Sequence, residues 1–164
     1  MKKVLLAALI AVVTLSGCSV LGGSSSTSNA ASAVQSAVSA TSNDGVSAGS
    51  ALSALYKQYK ADGKYDYTNL TNVMNTIKLL QSCKNLKSNA KDSQYWKSFA
   101  SGLILGSNNL VTEQTSGIVT NSLSNLVKNV DADKLQSAQT NTVEAVGAAK
   151  SAASSISNIL ALFK

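Results

Sequence analysis

The sequence has no histidine, no proline and no arginine, so all 14 of its basic residues are lysines. Without histidine, the chain lacks the side chain that most often acts as a general base near neutral pH and most often binds transition metals. Without arginine, it lacks the planar group that holds phosphate or carboxylate through paired hydrogen bonds. Most hydrolase and transferase designs are therefore disfavoured, and we expect a protein that is not an enzyme and has no cofactor.

Charge clusters are missing as well. The formal net charge of +6 is spread along the chain, which predicts a solvated surface rather than a stripe that binds nucleic acid. Asp131-Ala132-Asp133 begins like a calcium loop, but the acidic ligands and the turn glycine that should follow are missing. We expect neither nucleic acid nor metal as a partner.

The N-terminus has the pattern of an export signal. Lys2 and Lys3 precede an uncharged apolar run from Val4 to Val13, which has about the length of the apolar region of a secretory signal. As a helix this run would rise about 15 Å, half of the hydrocarbon thickness of a bilayer, so it is too short for a permanent anchor. We therefore predict that residues 1–17 form a signal peptide that is removed.

The apolar run is followed by Leu15-Ser16-Gly17-Cys18, which resembles the lipobox of bacterial lipoproteins. The resemblance covers the signal region alone. It implies a diacylglyceryl group on the Cys18 thiol, cleavage before Cys18 and acylation of the new amine, so that acyl chains tie the protein to a membrane. The alternative is an ordinary secretory signal with a chance cysteine. By resemblance to enterobacterial sorting, Ser19 in place of aspartate implies the outer membrane.

The segment that follows has few large apolar residues. Because serine, alanine, glycine, asparagine and threonine dominate it, burial offers little to offset the loss of chain entropy on ordering. We predict a disordered, flexible tether over residues 18–46, with a weak helix over Ala30–Ala40 as the alternative, and a helical domain over residues 47–164.

The domain is predicted to be all-α, a small bundle of four or five amphipathic helices. Apolar residues recur at three- and four-residue intervals, and no paired alternating runs indicate strands. The first expected helix is Ser47–Ala61, which should stop at Asp62-Gly63. The others are Tyr67–Leu86, one capped by Asp92 or Ser93, one from about Thr115 that is either separate from the third or continuous with it, and a last helix capped by Asp131 or Asp133.

Three features of this domain are candidate sites. The first is Cys83, which lies on an apolar stripe with Leu70, Val73, Met74, Ile77 and Leu80. This position favours a buried structural thiol over a reactive or intermolecular one.

The second feature is the GxxxG pattern formed by Gly102 and Gly106 on the third predicted helix. It favours close packing of this helix on a neighbouring helix over insertion into a membrane.

The third feature is a group of tyrosines and lysines around one predicted turn. Aromatic rings beside ammonium groups suit sugar rings or lipid headgroups, whereas tyrosines at helical spacing also suit a core. The possible ligand surface consists of Tyr56, Tyr59, Lys60, Lys64, Tyr65 and Tyr67.

An alanine-rich helix that finishes on Lys164 resembles the helical murein lipoprotein of enteric bacteria, whose terminal lysine is joined to peptidoglycan. The long heptad array of that family is missing here. Taken together, the sequence predicts a membrane-anchored envelope lipoprotein that acts as a structural or protein-interaction module, with an envelope protein as its partner. The alternatives are a glycan- or lipid-binding module and a lipoprotein linked to peptidoglycan through Lys164.

Overall fold

The computed structural model describes the backbone of residues 26–164 and the side chains of residues 44–164. The predicted signal peptide, Cys18 and the first part of the predicted tether lie outside the described residues. The described chain contains six helices and no strand, which confirms the all-α fold class. The helices are α1 (Ser26–Asp62), α2 (Leu70–Ser88), α3 (Ser93–Gly106), α4 (Glu113–Lys128), α5 (Ala132–Ser137) and α6 (Thr142–Ala161).

Polar side chains define the helix starts. Asn69, Asp92, Asp131 and Asn141 each stand immediately before a helix and accept hydrogen bonds from two backbone N–H groups of its first turn. These N–H groups have no partner inside the helix, so a side-chain acceptor fixes where each helix begins. Helix α1 ends, as predicted, at Asp62-Gly63: Gly63 has a φ of 71° and its N–H donates to the Tyr59 carbonyl at 2.9 Å.

The core of the compact unit Ala37–Lys164 draws on every one of these helices. Helix α2 packs against α4, α5 and α6, while α4 also packs against α3 and α6. The largest fully buried side chains belong to α1, α2, α3, α4 and α6 and to the α3–α4 connection, and they are Leu52, Leu55, Val73, Leu79, Leu80, Leu86, Phe99, Leu103, Val111, Leu123, Ile156 and Leu160.

Helices α1 and α3 cross at glycine. A Cβ atom placed on Gly45 would lie 2.3 Å from the Phe99 carbonyl oxygen, and one on Gly106 would lie 2.1 Å from that of Val46. A Cβ atom on Gly49 would lie 2.5 Å from the Leu103 carbonyl oxygen of α3. The GxxxG pattern of α3 therefore meets a second GxxxG pattern on α1, and the predicted close helix packing is confirmed.

The first helix starts earlier than predicted. Its backbone is helical from Ser26, a range that includes the alternative helix over Ala30–Ala40, and packing contacts are already present at Asp44 and Gly45 rather than from residue 47. The prediction relied on large apolar side chains, whereas α1 packs against α3 here through Gly45, which has no side chain. Alanine also has the highest intrinsic helix propensity.

The structure decides one boundary that the sequence left open and corrects another. The third and fourth helices are separate because Asn108 and Asn109, with φ of 53° and 65°, adopt the left-handed conformation that an α-helix cannot continue through. Asp131 does act as a cap, but for the six-residue helix α5. The last helix begins instead after Asn141, which the prediction missed.

Candidate functional site

The tyrosines of the predicted ligand surface are largely part of the bundle's packing. Tyr59 is buried, and the Lys164 ammonium lies 4.9 Å from the centre of its ring. Tyr56 is half-buried, and its hydroxyl donates to the Phe163 carbonyl at 2.7 Å, with the two rings edge to face. These two tyrosines hold the C-terminal end of the chain against α1, which is the role of core residues.

The loop after α1 continues this pattern. Tyr65 is buried, and its hydroxyl shares a hydrogen bond of 2.6 Å with the Thr76 hydroxyl. Burial, opposed by that hydrogen bond, raises the pKa of Tyr65. Tyr67 is half-buried, whereas Lys60 and Lys64 are exposed. The six residues therefore do not present a row of free aromatic faces, because two of the four rings are inside the bundle.

Cys83 is fully buried and free, which confirms the prediction of an interior thiol. Burial, together with the nearby Asp44 carboxylate, raises the pKa of the Cys83 thiol. Asp44 accepts hydrogen bonds from the Asn85 amide at 3.0 Å and from the Tyr95 hydroxyl at 3.3 Å. Burial and the same carboxylate raise the pKa of Tyr95. This polar cluster ties α1 to α2 and α3, and a thiol with a raised pKa is a poor nucleophile.

One carboxylate oxygen of Asp131 accepts hydrogen bonds from the backbone N–H groups of Asp133 and Lys134 at 2.9 and 3.4 Å. Over residues 44–164, where side chains are described, no three histidine, cysteine, aspartate or glutamate side chains come together as metal ligands would. The carboxylate that resembled the start of a calcium loop serves as a helix cap.

Sequence reasoning missed a pair of neighbouring surface cavities beside α2. The first, about 500 Å³, lies between α2 and the α5–α6 connection and includes Leu70, Met74 and Ile77. The second, about 430 Å³, lies between α2, α5 and the end of α4 and includes Lys84 and Lys87. Gln81 and Gln139 line both cavities, so the two form one groove, which we call the α2 groove.

The sequence signal for the α2 groove is the apolar stripe of α2, which by itself predicts buried core residues. Leu70 and Met74 belong to the predicted apolar stripe of α2, yet they are 58% and 65% exposed, whereas Val73, Ile77, Leu80 and Cys83 are buried as predicted. When the apolar stripe of a helix is wider than the face that the core covers, the side chains at the edge of the stripe stay exposed. In α2 these side chains are Leu70 and Met74, and they line the first cavity.

No protein-family model, curated protein or solved structure matches the chain. Its function must therefore be argued from its own residues. In the range from Ser26 to Lys164, no helix combines the length and the apolar character needed to cross a bilayer. The two features from which a function can be argued are therefore Cys18 in the sequence and the α2 groove in the structure.

Proposed function

We propose that this chain is a membrane-anchored lipoprotein of the bacterial envelope whose helical bundle acts as a non-enzymatic interaction module. The observation that carries the proposal is Leu15-Ser16-Gly17-Cys18 placed directly after a basic start and an apolar run. Two or three acyl chains on one residue hold a protein at a bilayer firmly, because each buried methylene contributes about 0.8 kcal/mol. The bundle itself then needs no membrane-spanning helix.

The composition supports a binding role rather than catalysis. The chain has no histidine and no arginine, and its single cysteine beyond the lipobox is buried with a raised pKa. The tyrosines that suggested a glycan surface contribute hydrogen bonds and ring contacts inside the bundle, so this surface is not our leading proposal. Attachment of Lys164 to peptidoglycan stays a prediction, and its ammonium lies on the face of Tyr59.

The anchor is tested by comparing two cysteine variants of the full chain, because the sequence contains only two cysteines. Mass spectrometry of protein purified from bacterial membranes should show a chain that begins at Cys18 and carries the mass of its acyl chains. Cys18→Ser should lose that mass and leave the membrane fraction. Cys83→Ser, the matched control, should keep the acyl mass and stay in the membrane fraction. An unmodified thiol at position 18, or cleavage at another bond, would overturn the proposal.

The interaction role is tested in intact cells by photo-crosslinking. A photoreactive residue would replace Leu105, Ile118 or Val143, three large apolar side chains that are exposed on α3, α4 and α6. We expect a discrete adduct with an envelope protein from at least one of these faces, and none when Cys18→Ser moves the chain away from the membrane. If no position gives an adduct and a deletion strain keeps a normal envelope barrier, the interaction role is wrong.

A further inference from the structure

The α2 groove has an apolar end and a basic end. Its exposed apolar side chains, Leu70 and Met74, lie in the first two turns of α2, above the more deeply buried Val73 and Ile77. Its lysines come later on the same helix, at positions 78, 84 and 87. From Leu70 to Lys87 the groove follows about 25 Å of helix. Polarity therefore changes along the groove, from one end to the other.

The basic end has little opposing charge. Helix α2 contains three lysines and no acidic residue. The carboxylate that lines the second cavity is that of Asp131, and one of its oxygens is already engaged by the N–H groups of the α5 first turn. The groove is thus electrostatically complementary to an anion.

Gln81 lies where the two cavities meet, with Lys78 and Lys84 three residues to either side. Residues three apart on a helix are neighbours on its surface, so Lys78 and Lys84 are both neighbours of Gln81 on α2. The Gln81 side-chain nitrogen is buried and has no hydrogen-bond partner. A buried donor without an acceptor is unfavourable, and an acceptor brought into the groove would relieve it once the carboxamide turns outward.

We propose that the α2 groove binds one anionic amphiphile, a molecule of the fatty-acid class. Its tail lies over Leu70, Met74 and Ile77 in the first cavity, and its carboxylate lies at Gln81 between Lys78 and Lys84. The volume of the first cavity, about 500 Å³, is in the range of small-molecule sites. A docked amphipathic helix fits less well, because Leu70 and Met74, the large apolar side chains of the groove that are mostly exposed, both lie at one end. The other end is lined by Lys84 and Lys87 as well as by apolar residues, whereas an amphipathic helix needs apolar contacts along its whole length.

The test uses the full chain with Cys18→Ser, so that no attached acyl chain competes and the result does not depend on the proposed lipoprotein anchor. Labelling the methionine methyl groups gives two NMR signals, from Met1 and Met74. Dodecanoate, added below its micelle concentration, should shift the Met74 signal saturably. Decanoate should bind about fourfold more weakly, because each half-buried methylene contributes about a factor of two. Dodecyltrimethylammonium, with the same tail and the opposite charge, should bind at least about tenfold more weakly.

Matched variants locate the site. Lys78→Glu combined with Lys84→Glu should weaken dodecanoate binding about tenfold, whereas Lys97→Glu with Lys150→Glu, exposed lysines outside the groove with the same change in net charge, should not. Leu70→Glu should weaken it while Leu105→Glu, at a side chain 74% exposed on α3, should not. Glutamate is also favourable in the first turn of α2, so the Leu70 variant should fold.

The proposal would be overturned by the absence of a saturable shift of Met74, by equal binding of the cationic amphiphile, or by an equal loss of dodecanoate binding in the control variants. Saturable binding of a Leu- and Glu-containing helical peptide at this groove, without binding of dodecanoate, would also overturn it and assign the groove to a protein partner instead.

Discussion

The glycines of the α1–α3 crossing leave no space for a Cβ atom, whereas Gly117 on α4 does. A Cβ atom on Gly106 would lie 2.1 Å from the Val46 carbonyl oxygen, whereas one on Gly117 would meet nothing within 4 Å. Gly106→Ala should therefore destabilise the protein by about 1–3 kcal/mol, since neither backbone can yield without separating the helices. Gly117→Ala should stabilise it by up to about 1 kcal/mol, because alanine favours a helix.

Urea unfolding followed by circular dichroism measures both changes. Gly117→Ala is the matched control, because it adds the same methyl group to a helical glycine. A Gly106→Ala variant as stable as the wild type would mean that the two helices do not approach at this point.

A second residue-scale prediction concerns alkaline pH. Burial and the Asp44 carboxylate raise the pKa of Tyr95 above its ordinary value of 10.0 in the folded chain, so folding favours the protonated hydroxyl. The corresponding stability is fully present below pH 10.0 and is lost as pH rises through the folded pKa of Tyr95. The free energy of unfolding should thus fall above pH 10.0, and Tyr95→Phe should reduce the fall.

Tyr95→Phe should not abolish that fall, because burial also raises the pKa of Tyr65 and Cys83. Unfolding by urea at a series of alkaline pH values measures the slope. The same slope in the wild type and in Tyr95→Phe would contradict the prediction.

At the scale of the helix, the sequence predicted boundaries well where a polar cap stands beside a strong apolar stripe. Asp92 before α3 and Asp62-Gly63 after α1 are such places, and both are confirmed. The sequence did not predict the boundary correctly where a helix is held by packing against another helix of the bundle. Gly45 was predicted to belong to the tether, because no local pattern reveals the α3 backbone that packs against it.

The candidate site was also predictable only where it depends on local sequence. Tyr56 and Tyr59 were recognised as residues of interest, but their partners, Phe163 and Lys164, are more than 100 positions away in the chain. The burial of Cys83 was predictable because periodicity alone places it on the inner face of α2. The exposure of Met74 was not predictable, because it depends on where the α5–α6 connection and the start of α6 lie.

The start of α6 gives an element-scale prediction. The Asn141 side chain accepts from the N–H groups of Val143 and Glu144 at 2.9 and 3.4 Å. Asn141→Ala should lower the free energy of unfolding by about 1 kcal/mol, the usual effect of removing an N-cap. Asn121→Ala, at an exposed position inside α4, is the control and should be neutral or slightly stabilising. Equal effects in the two variants would show that Asn141 does not act as a cap.

At the scale of the whole molecule, Cys83 can report whether the bundle opens as one unit. It is completely buried in a core that α1, α2, α3, α4 and α6 share, so no single side-chain movement exposes it. Cooperative opening would make its exposure cost nearly the full free energy of unfolding, which is about 5–15 kcal/mol for a domain.

In the full chain with Cys18→Ser, Cys83 is the one remaining thiol, so a thiol reagent reports on it alone. If the bundle unfolds cooperatively, labelling in native buffer should be slower than in concentrated urea by about a thousandfold or more. Gly106→Ala should speed native labelling in proportion to its loss of stability, since the α1–α3 crossing belongs to the same core as Cys83. Native labelling within tenfold of the rate in urea would show that α2 opens locally and that the bundle is not one cooperative unit.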